Sequence, residues 1–438
     1  MNKHVHFTGI GGIGMSGLAQ YYLSQGFEVS GSDLRSSEII DFLKEKGMDI
    51  YLGKQTGKGI LKNTQMVVFS PAIKKNNKDL IKAKKLGIRV LSYPQALGKL
   101  TKKYFSICVS GTHGKSTTTS MLYFALKQGG LDPTVIVGTK LKEFNNSNFK
   151  KGKSKFLLIE ADEYKDSFLN YSPNVIVLTN IEADHLDYFK NLKGVLRSFK
   201  TYLSQIEKNG FLIVNEKDQN IKKIIKNKKY FNFHNIETDY KKEIKKNLKV
   251  PGHHNFLNAL AAFKTAQVLG LKSKDIIKGL SQFNGCWRRF EKRKIKINKN
   301  AKDLIFDYGH HPTEILATCK TIREEFKNKK IKLIFQPHQY QRTKLLFNDF
   351  VKTFKVISKN LIDKIFITDI FDVAGRETLK KEIDSKKLVK SINHTNVFYL
   401  KGENICKNIK NTKEDVILIM GAGDIYERVL KIFKEKFL

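Results

Sequence analysis

Short apolar runs recur along the chain, and each is bounded by turn-forming or polar residues. Such runs are typical of strands that are buried on both faces of a parallel sheet. We predict strands at residues 5–10, 27–33, 66–70, 105–111, 155–160, 174–180, 303–308, 331–336, 364–370 and 415–421.

Longer segments with helical character separate these runs, for example residues 14–26, 116–130 and 255–270. Strands that alternate with helices over the whole length predict α/β domains with mainly parallel sheets. Motifs restart near residue 100 and near residue 295. We therefore predict three domains, at residues 1–100, 101–295 and 296–438.

The length of 438 residues agrees with three domains of about 150 residues each. A chain with 41% hydrophobic and 28% charged residues is not predominantly disordered. No apolar run is long enough to span a membrane, and the first residues lack the apolar core of a signal peptide. The four cysteines are far apart, which excludes a zinc ribbon and a disulfide framework. We therefore expect a cytoplasmic protein without a membrane span.

The formal net charge of +38 suggests at first a protein that binds nucleic acid. However, 70 of the basic residues are lysines and only 10 are arginines, which are the usual readers of bases and phosphates. The lysines are scattered among asparagines and isoleucines. We interpret most of them as a solvated surface and expect no specific nucleic-acid partner.

A glycine-rich turn follows the first predicted strand and precedes a helix. Its sequence, Gly9-Ile-Gly11-Gly12-Ile-Gly14, fits GxGxxG, and Asp33 ends the second strand nineteen residues later. The glycines allow a tight turn and a close approach to a pyrophosphate, which the helix N-terminus can hold. The motif predicts a site for a dinucleotide or a nucleoside diphosphate, and it does not distinguish the two.

A second glycine-rich loop, residues 111–117 with the sequence GTHGKST, lies between a strand and a helix. A Walker A loop would have glycine where this chain has Val109, so the strict motif is absent. The chemistry is nevertheless that of a phosphate loop. Backbone N–H groups can hold phosphates, Lys115 can contact the β and γ oxygens, and Ser116 can ligate Mg²⁺.

The next two strands end in potential metal ligands. Glu160 lies at the end of one strand, and His185 follows the end of the other. Because the carboxyl ends of parallel strands share one edge of a sheet, both side chains are expected beside the phosphate loop. A single acidic cluster or a lone histidine is usually a solvated or hydrogen-bonding residue. Two on consecutive strand ends after such a loop indicate a metal site.

The order of these motifs resembles the Mur ligases, ATP-dependent amide-forming enzymes of peptidoglycan precursor synthesis. The resemblance covers nearly the whole chain. It is carried by residues 6–19, 111–121, 159–168, 179–188, 253–262, 288–291, 306–314, 335–343, 369–377 and 421–425.

The resemblance implies a Rossmann-like N-terminal domain, a central ATPase domain of the P-loop type with a mainly parallel sheet, and a Rossmann-like C-terminal domain. It also implies ligation of L-alanine to the lactyl carboxylate of UDP-N-acetylmuramate, with ATP and Mg²⁺ as cofactors and an acyl phosphate as intermediate.

The resemblance further implies roles for individual residues. The uridine diphosphate would contact Gly11, Gly12, Gly14, Asp33 and Ser70. ATP would contact Gly111, Thr112, His113, Gly114, Lys115, Ser116, Thr117, His254, Asn255, Asn258, Arg289 and Asp307. Ser116 and Glu160 would hold one Mg²⁺ and His185 a second. Tyr308 and Arg342 would bind substrate, and the catalytic residues would be Lys115, His310, His311 and Arg342, with either histidine a candidate proton acceptor.

The chain departs from the family at two positions. Phe306 precedes Asp307-Tyr308 where the family usually has a second aspartate, and Gln339 replaces an arginine that could bind a carboxylate. Sibling ligases carry a carbamylated lysine, for which Lys200 is a candidate position. Because of Gln339, a related ligase of the same family, which attaches a recycled tripeptide to the same sugar nucleotide, remains an alternative function. A nicotinamide-dependent oxidoreductase would explain the first glycine turn and leave the phosphate loop unexplained.

Overall fold

The computed structural model describes residues 3–225, 232–297, 300–372 and 382–433. In the segment 369–377, which carries part of the resemblance, the positions after 372 lie outside these ranges. The chain divides into two compact units. The first unit comprises residues 1–182, 193–248 and 257–283, and the second comprises residues 183–192, 249–256 and 284–438.

The first sheet of the first unit is entirely parallel, with strand order β3-β2-β1-β4-β5. Its chain order changes direction between β1 and β4, and ligands of open α/β sheets bind at the carboxyl ends of strands beside such a switch point. Its strands are β1 (His4–Thr8), β2 (Glu28–Asp33), β3 (Asp49–Leu52), β4 (Thr64–Phe69) and β5 (Arg89–Ser92). Its helices are α1 (Ile13–Ser24), α2 (Glu38–Glu45), α3 (Lys78–Lys85) and α4 (Tyr93–Thr101).

A buried polar network lies within this first sheet and is centred on Asp79, which is 2% exposed. The Asp79 carboxylate accepts hydrogen bonds from the Ser32 hydroxyl at 2.6 Å, the Thr8 hydroxyl at 3.2 Å and the Gly57 N–H at 2.7 Å. His6 Nε2 lies 3.5 Å away. Burial alone would raise the pKa of Asp79, but the contacts with His6, Ser32 and Gly57 outweigh it and lower that pKa below its ordinary value. The network connects β1, β2 and the loop that contains Gly57 with α3.

The second sheet of the first unit has the order β12-β11-β10-β6-β9-β7-β8 and is parallel except for the β7–β8 pair. The strand β6 therefore lies between β9 and β10. The strands are β6 (Phe105–Ser110), β7 (Thr134–Leu141), β8 (Ser147–Lys150), β9 (Phe156–Glu160), β10 (Val175–Leu178), β11 (Phe211–Val214) and β12 (Asn232–Asn235). The helices between β6 and residue 290 are α5 (Lys115–Gln128), α6 (Leu186–Phe189), α7 (Leu192–Leu203), α8 (Gln219–Ile224), α9 (Lys241–Asn247), α10 (His253–Val268) and α11 (Ser273–Leu280).

Helix α1 packs directly on the β7–β8 pair, so the two sheets of the first unit are joined through buried polar contacts. The Asn148 amide donates to the Ile13 carbonyl at the start of α1. Gln20 donates to the Asn148 side-chain oxygen at 3.0 Å and accepts from the Ser147 hydroxyl at 2.7 Å. These contacts fix α1, and with it the first glycine turn, against the second sheet.

The second unit contains a six-stranded sheet with the order β13-β14-β18-β15-β16-β17, in which only the β13–β14 pair is antiparallel. Alternate residues of its central strands enter two separate apolar clusters, so both faces of the sheet are covered. The strands are β13 (Glu291–Ile297), β14 (Asn300–Asp307), β15 (Ile331–Phe335), β16 (Lys364–Thr368), β17 (Val397–Leu400) and β18 (Val416–Met420). The helices are α12 (Pro312–Glu325), α13 (Tyr340–Leu345), α14 (Phe347–Asn360), α15 (Ser385–Ile392), α16 (Ile405–Lys410) and α17 (Ile425–Phe433).

The predicted α/β class with mainly parallel sheets is confirmed, and each of the ten apolar runs forms a strand. The sequence analysis did not identify β3, β5, β7, β8, β11, β12, β13 and β17, among which are all six edge strands. Edge strands bury less surface, so their apolar pattern is weaker. Across the described residues, no helix has both the length and the apolar character needed to cross a membrane. The four cysteines are free.

Candidate active site

The phosphate loop lies at the end of β6, where two glycines have positive φ angles: 130° at Gly111 and 82° at Gly114. A Cβ at Gly111 would lie 2.1 Å from the Thr179 hydroxyl oxygen, and one at Gly114 would lie 2.5 Å from Asn258 Oδ1. Both positions therefore require glycine. Helix α5 begins at Lys115 without a side-chain cap or an acidic residue in its first turn, as expected of a helix N-terminus that binds an anion.

The Lys115 ammonium is held inside the loop. Its Nζ donates to the carbonyls of Gly111 at 2.6 Å and Thr112 at 3.2 Å and to the Glu163 carboxylate at 2.8 Å. Burial opposes the charged form, but the carboxylates of Glu163, Asp162 and Glu160 outweigh it and raise the pKa of Lys115 above its ordinary value. Lys115 is therefore a permanent cation, and Glu163 is its partner in the protein without ligand. The sequence analysis assigned Glu163 no role, although it lies within the quoted segment 159–168.

Ser116 and Glu160 lie side by side, as predicted for two ligands of one metal ion. The Ser116 hydroxyl donates to Glu160 Oε2 at 2.8 Å, and the Gly138 N–H on β7 donates to the same oxygen at 2.8 Å. A Cβ at Gly138 would lie 2.6 Å from that oxygen. A hydroxyl and a carboxylate beside a phosphate loop form the oxygen-rich set that Mg²⁺ prefers, so these residues fit the ion.

The residues after β10 support the loop from the other side. The Asn180 side-chain oxygen accepts from the His113 N–H at 2.9 Å, and its carbonyl accepts from the Thr112 N–H at 3.0 Å. The Thr179 hydroxyl donates to the His113 carbonyl at 2.6 Å. Thr117 is buried in the first turn of α5. Sequence reasoning missed Thr179 and Asn180, although their position directly after a buried strand was a usable signal.

Most backbone N–H groups of the first glycine turn donate hydrogen bonds to acceptors within the protein. Gly9 and Ile10 donate to the Ser32 carbonyl, and Gly12 donates to the Gly9 carbonyl. The Gly11 N–H donates to the Asp33 carboxylate at 2.8 Å. Asp33 therefore stabilises the turn itself.

Ser70 and Tyr93 lie against this turn. A Cβ at Gly9 would lie 3.0 Å from the Ser70 Cβ, so Ser70 packs against the turn. A Cβ at Gly14 would lie 2.8 Å from the ring carbon Cζ and from the hydroxyl oxygen of Tyr93. The third glycine of the motif is therefore required by the contact with Tyr93, which the sequence analysis did not identify.

In the second unit, Asp307 lies at the end of β14. Its carboxylate accepts from the N–H groups of Gly309 at 2.8 Å and Phe290 at 3.0 Å. Burial raises the pKa of Asp307 to about 6, although Arg289 partly opposes the shift. The predicted ribose contact thus also connects β14 to the segment before β13.

A polar cluster surrounds Asp307. Glu314 accepts from the N–H of His310 at 2.9 Å and lies 3.9 Å from the Arg289 guanidinium, which stacks on the Tyr308 ring. Burial and Arg342 lower the pKa of His310 to about 3, so its imidazole is neutral at pH 7.

The two candidate proton acceptors have different surroundings. The Nδ1 of His311 accepts from the Thr313 N–H at 3.3 Å and caps α12, and its Nε2 lies 3.4 Å from the Ala183 carbonyl. His310 is hydrogen-bonded through Nδ1 to the Tyr308 carbonyl at 3.2 Å. Since a neutral imidazole has one donor and one acceptor nitrogen, Nε2 of His310 is then the acceptor. His311 is a helix cap in this fold.

Arg342 forms a buried ion pair with Asp184. Its Nε lies 3.1 Å from Asp184 Oδ1, and its Nη1 lies 3.2 Å from His338 Nδ1. Burial would raise the pKa of Asp184, but His185 and Arg342 hold it well below its ordinary value. The Arg342–Asp184 pair thus connects α13 to the loop before α6.

His185, the predicted second metal ligand, has a φ of 51° and directly precedes α6 as its N-cap residue.

Three further predicted contacts lie on α10. Asn255 donates to the Pro251 carbonyl at 2.6 Å, and Asn258 packs against Gly114. Burial lowers the pKa of His254 to about 4. His254 and Asn255 belong to the second unit, whereas Asn258 belongs to the first.

Two residues raised by the sequence analysis have distinctive settings. Lys200 is exposed on α7. Gln339, which replaces the family arginine, is buried and has a φ of 70°, a backbone conformation that is strained for any residue except glycine.

Arg288, which precedes Arg289 in the chain, was assigned no role by the sequence analysis. Its guanidinium is buried and donates to the carbonyls of Gly421 and Gly423 at 2.9 Å each, while the rings of Tyr308 and Tyr426 lie against it. Of the two consecutive arginines, Arg288 therefore supports the loop after β18 and Arg289 faces Glu314.

Three family models match the chain in succession. The Mur ligase family catalytic domain matches residues 4–105, the Mur ligase middle domain matches residues 109–266, and the Mur ligase glutamate ligase domain matches residues 288–423. A curated UDP-N-acetylmuramate–L-alanine ligase from Clostridium botulinum is 41% identical over 97% of this chain and 96% of its own length. A relative of the same name from Acetivibrio thermocellus is 40% identical over 99% and 96%.

Solved structures give the same relationship. The UDP-N-acetylmuramate–alanine ligase of Thermotoga maritima superimposes with a TM-score of 0.79 and 26% identity, covering 99% of this chain and 98% of its own. A murein peptide ligase from Psychrobacter arcticus has a TM-score of 0.70 and 23% identity over 98% of each chain, which is a likeness of fold.

Proposed function

Because this chain belongs to the Mur ligase family, we propose that it joins L-alanine to the lactyl carboxylate of UDP-N-acetylmuramate at the expense of ATP. The observation that carries this proposal is the 41% identity, over 97% of the chain, to a relative named for that reaction. The arrangement of Lys115, Ser116 and Glu160 supports it, because these residues fit a nucleoside triphosphate and its metal ion.

The reaction must convert a poor electrophile into a reactive one. Phosphorylation of the carboxylate by ATP gives an acyl phosphate and ADP, and attack by the amine then releases phosphate and leaves the amide. Both steps concentrate negative charge. Lys115 is a partly buried cation at the phosphate loop, and we assign it the stabilisation of that charge. The N–H groups at the start of α5 would hold the phosphates.

Ser116 and Glu160 would hold Mg²⁺, and bound Mg²⁺ supplies charge neutralisation at the phosphate oxygens. The Gly138 N–H keeps Glu160 oriented towards Ser116. We assign His185 to a second ion. When ATP binds, its phosphates compete with Glu163 for the Lys115 ammonium.

We assign residues of the second unit to further contacts with ATP, to the substrates and to the acceptance of a proton. Asp307, Arg289, His254, Asn255 and, from the first unit, Asn258 are proposed to contact ATP. Tyr308 and Arg342 are proposed to act on the substrates. Of the two histidines, we favour His310 as the proton acceptor, because His311 caps α12. The Arg342 guanidinium is already paired with Asp184, so a substrate carboxylate would share it.

We also propose the domain division 1–100, 101–295 and 296–438 and a cytoplasmic location, which the free cysteines favour. The third sheet begins at Glu291, shortly before the proposed limit. Gly11, Gly12, Gly14, Asp33 and Ser70 would form the site of the uridine diphosphate.

The test is phosphate release from ATP and Mg²⁺ with UDP-N-acetylmuramate, after addition of L-alanine, glycine, L-serine or the tripeptide. We expect release that requires the sugar nucleotide and is fastest with L-alanine. Preference for the tripeptide would move the function to the sibling ligase, for which Gln339 is the argument. Release that is independent of the sugar nucleotide would contradict the proposed substrate.

Labelled oxygen in the lactyl carboxylate tests the intermediate. One labelled atom should appear in the released phosphate, because the acyl phosphate retains it until the amine attacks. Phosphate without label would contradict the acyl-phosphate route.

A further inference from the structure

The first glycine turn offers few N–H groups to a ligand. Within the described residues, the N–H groups of Gly9, Ile10, Gly11 and Gly12 donate to protein acceptors. The next three, at Ile13, Gly14 and Met15, have no protein acceptor there. Any anion at this turn must therefore be bound at the first turn of α1.

Helix α1 has no side-chain cap and no acidic residue in its first turn. No side chain of α1 itself therefore neutralises the partial positive charge of its N-terminus. A diphosphate carries two or more negative charges, and three N–H groups leave most of its oxygens without a donor. A further donor from outside the turn would complete the site.

Tyr93 is the side chain in position to be that donor. Its hydroxyl oxygen and Cζ lie against Gly14, in the middle of the three open N–H groups. The Tyr93 hydroxyl has no hydrogen-bond partner among the residues that the structure describes, and the side chain is half-buried. The position is well fixed, because Tyr93 is the first residue of α4, with Pro94 next and a capping box of Ser92 and Gln95 at the helix start.

Helix α4, which begins with Tyr93, contacts both α1 and residues 164–170, the segment that follows Glu163. Burial and the negative charges of Glu160 and Asp162 raise the pKa of Tyr93 above its ordinary value.

We propose that the Tyr93 hydroxyl donates a hydrogen bond to a diphosphate oxygen of the sugar nucleotide held at the first turn of α1. Tyr93 is then a substrate-binding residue that neither glycine motif reveals. The proposal rests on the proposed function for the identity of the nucleotide, and on the contacts with Gly14 for the position of the donor. Gly14 permits the arrangement because any side chain there would collide with the ring.

The test is Tyr93→Phe in the full-length chain, because phenylalanine keeps the ring on Gly14 and removes only the donor. A hydrogen bond to a charged group contributes enough for a loss of about ten-fold or more in affinity. We expect the KM for UDP-N-acetylmuramate to rise by about that factor, with kcat and the KM for ATP within two-fold of wild type. The Kd for UDP alone, measured by calorimetry without ATP, should rise by a similar factor.

Tyr104→Phe is the matched control. Its hydroxyl contacts the hydroxyl of Tyr21 at 3.2 Å in the same unit, and we expect no change in either constant. An unchanged KM and UDP affinity in Tyr93→Phe would overturn the proposal and leave the ring a packing role alone. A changed KM for ATP or a changed Mg²⁺ requirement, with UDP affinity intact, would also overturn it.

Failure of the proposed function has a different signature. If the wild-type protein shows no turnover that depends on UDP-N-acetylmuramate, the proposed function is wrong. Weaker UDP binding by Tyr93→Phe would still support the contact with a diphosphate, and equal binding would contradict it.

Discussion

The two glycine-rich turns of the first unit both precede a helix that has no side-chain cap, but their charged neighbours differ. At the first turn a carboxylate, Asp33, accepts from the Gly11 N–H and holds the backbone in shape. At the second turn the ammonium of Lys115 lies within the loop, with Glu163 as its partner and the Ser116–Glu160 pair beside it. The first turn is built from hydrogen bonds, and the second also contains a partly buried ion pair.

This difference corresponds to two tasks. A turn that only binds a diphosphate needs donors in fixed positions, and an uncharged set is sufficient. A loop at which a phosphoryl group is transferred must stabilise charge that increases during the reaction, which requires a cation and metal ligands. The comparison therefore predicts that changes at the second turn affect kcat and that changes at the first affect the KM for the sugar nucleotide.

The largest effect is expected at Lys115. Lys115→Ala removes the cation of the phosphate loop, and we expect kcat to fall by about 10³-fold, in the range found when a preorganised charge-stabilising group is lost. Because Glu163 is then left unpaired, Lys115→Met combined with Glu163→Gln provides a second variant without a buried charge. Steady-state phosphate release is the measurement. Lys200→Ala, an exposed lysine of the same unit, should be fully active, and its loss of activity would support a modified lysine there.

A smaller effect is expected at the metal ligands. Ser116→Ala removes one of the two oxygens that we assign to Mg²⁺, so we expect a kcat about 10²-fold lower and a higher Mg²⁺ concentration at half-maximal rate. Ser120→Ala, one turn later in α5, removes a hydroxyl that donates to the Ser116 carbonyl and is the control. A Mg²⁺ dependence identical to that of wild type would contradict the assignment.

Changes at the first turn should alter the KM for UDP-N-acetylmuramate rather than kcat. Gly14→Ala places a Cβ 2.8 Å from Tyr93, and overpacking of this kind destabilises a protein by about 1–3 kcal/mol. Gly12→Ala is the matched control for stability, since its nearest contact would be 3.7 Å away and its φ is −65°. We expect Gly12→Ala to unfold at the wild-type urea concentration but to show a higher KM for UDP-N-acetylmuramate. An unchanged KM would mean that no ligand approaches this turn closely.

The smallest effect on activity is expected at Asp79, in the buried polar network of the first sheet. The folded-state pKa of Asp79 is lower than the unfolded value, so its ionised form stabilises the fold above about pH 4, and this stabilisation is lost as the pH falls through the folded-state pKa. Asp79→Asn should reduce the free energy of unfolding by about 1–3 kcal/mol at pH 7.

Urea unfolding at several pH values tests this, with the exposed Asp41→Asn as control. The difference between wild type and Asp79→Asn should shrink as the pH falls below 4. A difference that is constant with pH would show that the carboxylate charge contributes nothing.

Local patterns predicted ten of the strands that the structure describes and both glycine turns, because burial on two faces and tight turns leave signals within a few consecutive residues. The predicted pairing of Ser116 with Glu160 also followed from topology, since the strands β6 and β9 are neighbours. The partners of the charged groups were not predictable in this way. The contacts of Lys115 with Glu163 and of Arg342 with Asp184 join residues 48 and 158 positions apart.

The sequence by itself determined the α/β class, the family and the two turns at which phosphates are expected to bind, because each depends on residue types at short, fixed spacings. The tertiary structure alone decided that His311 caps a helix, that Asp33 stabilises its own turn, and that Tyr93 lies on Gly14. The physical reason is that a side chain's role depends on which donors and acceptors remain unpaired around it. That is determined only when distant strands come together.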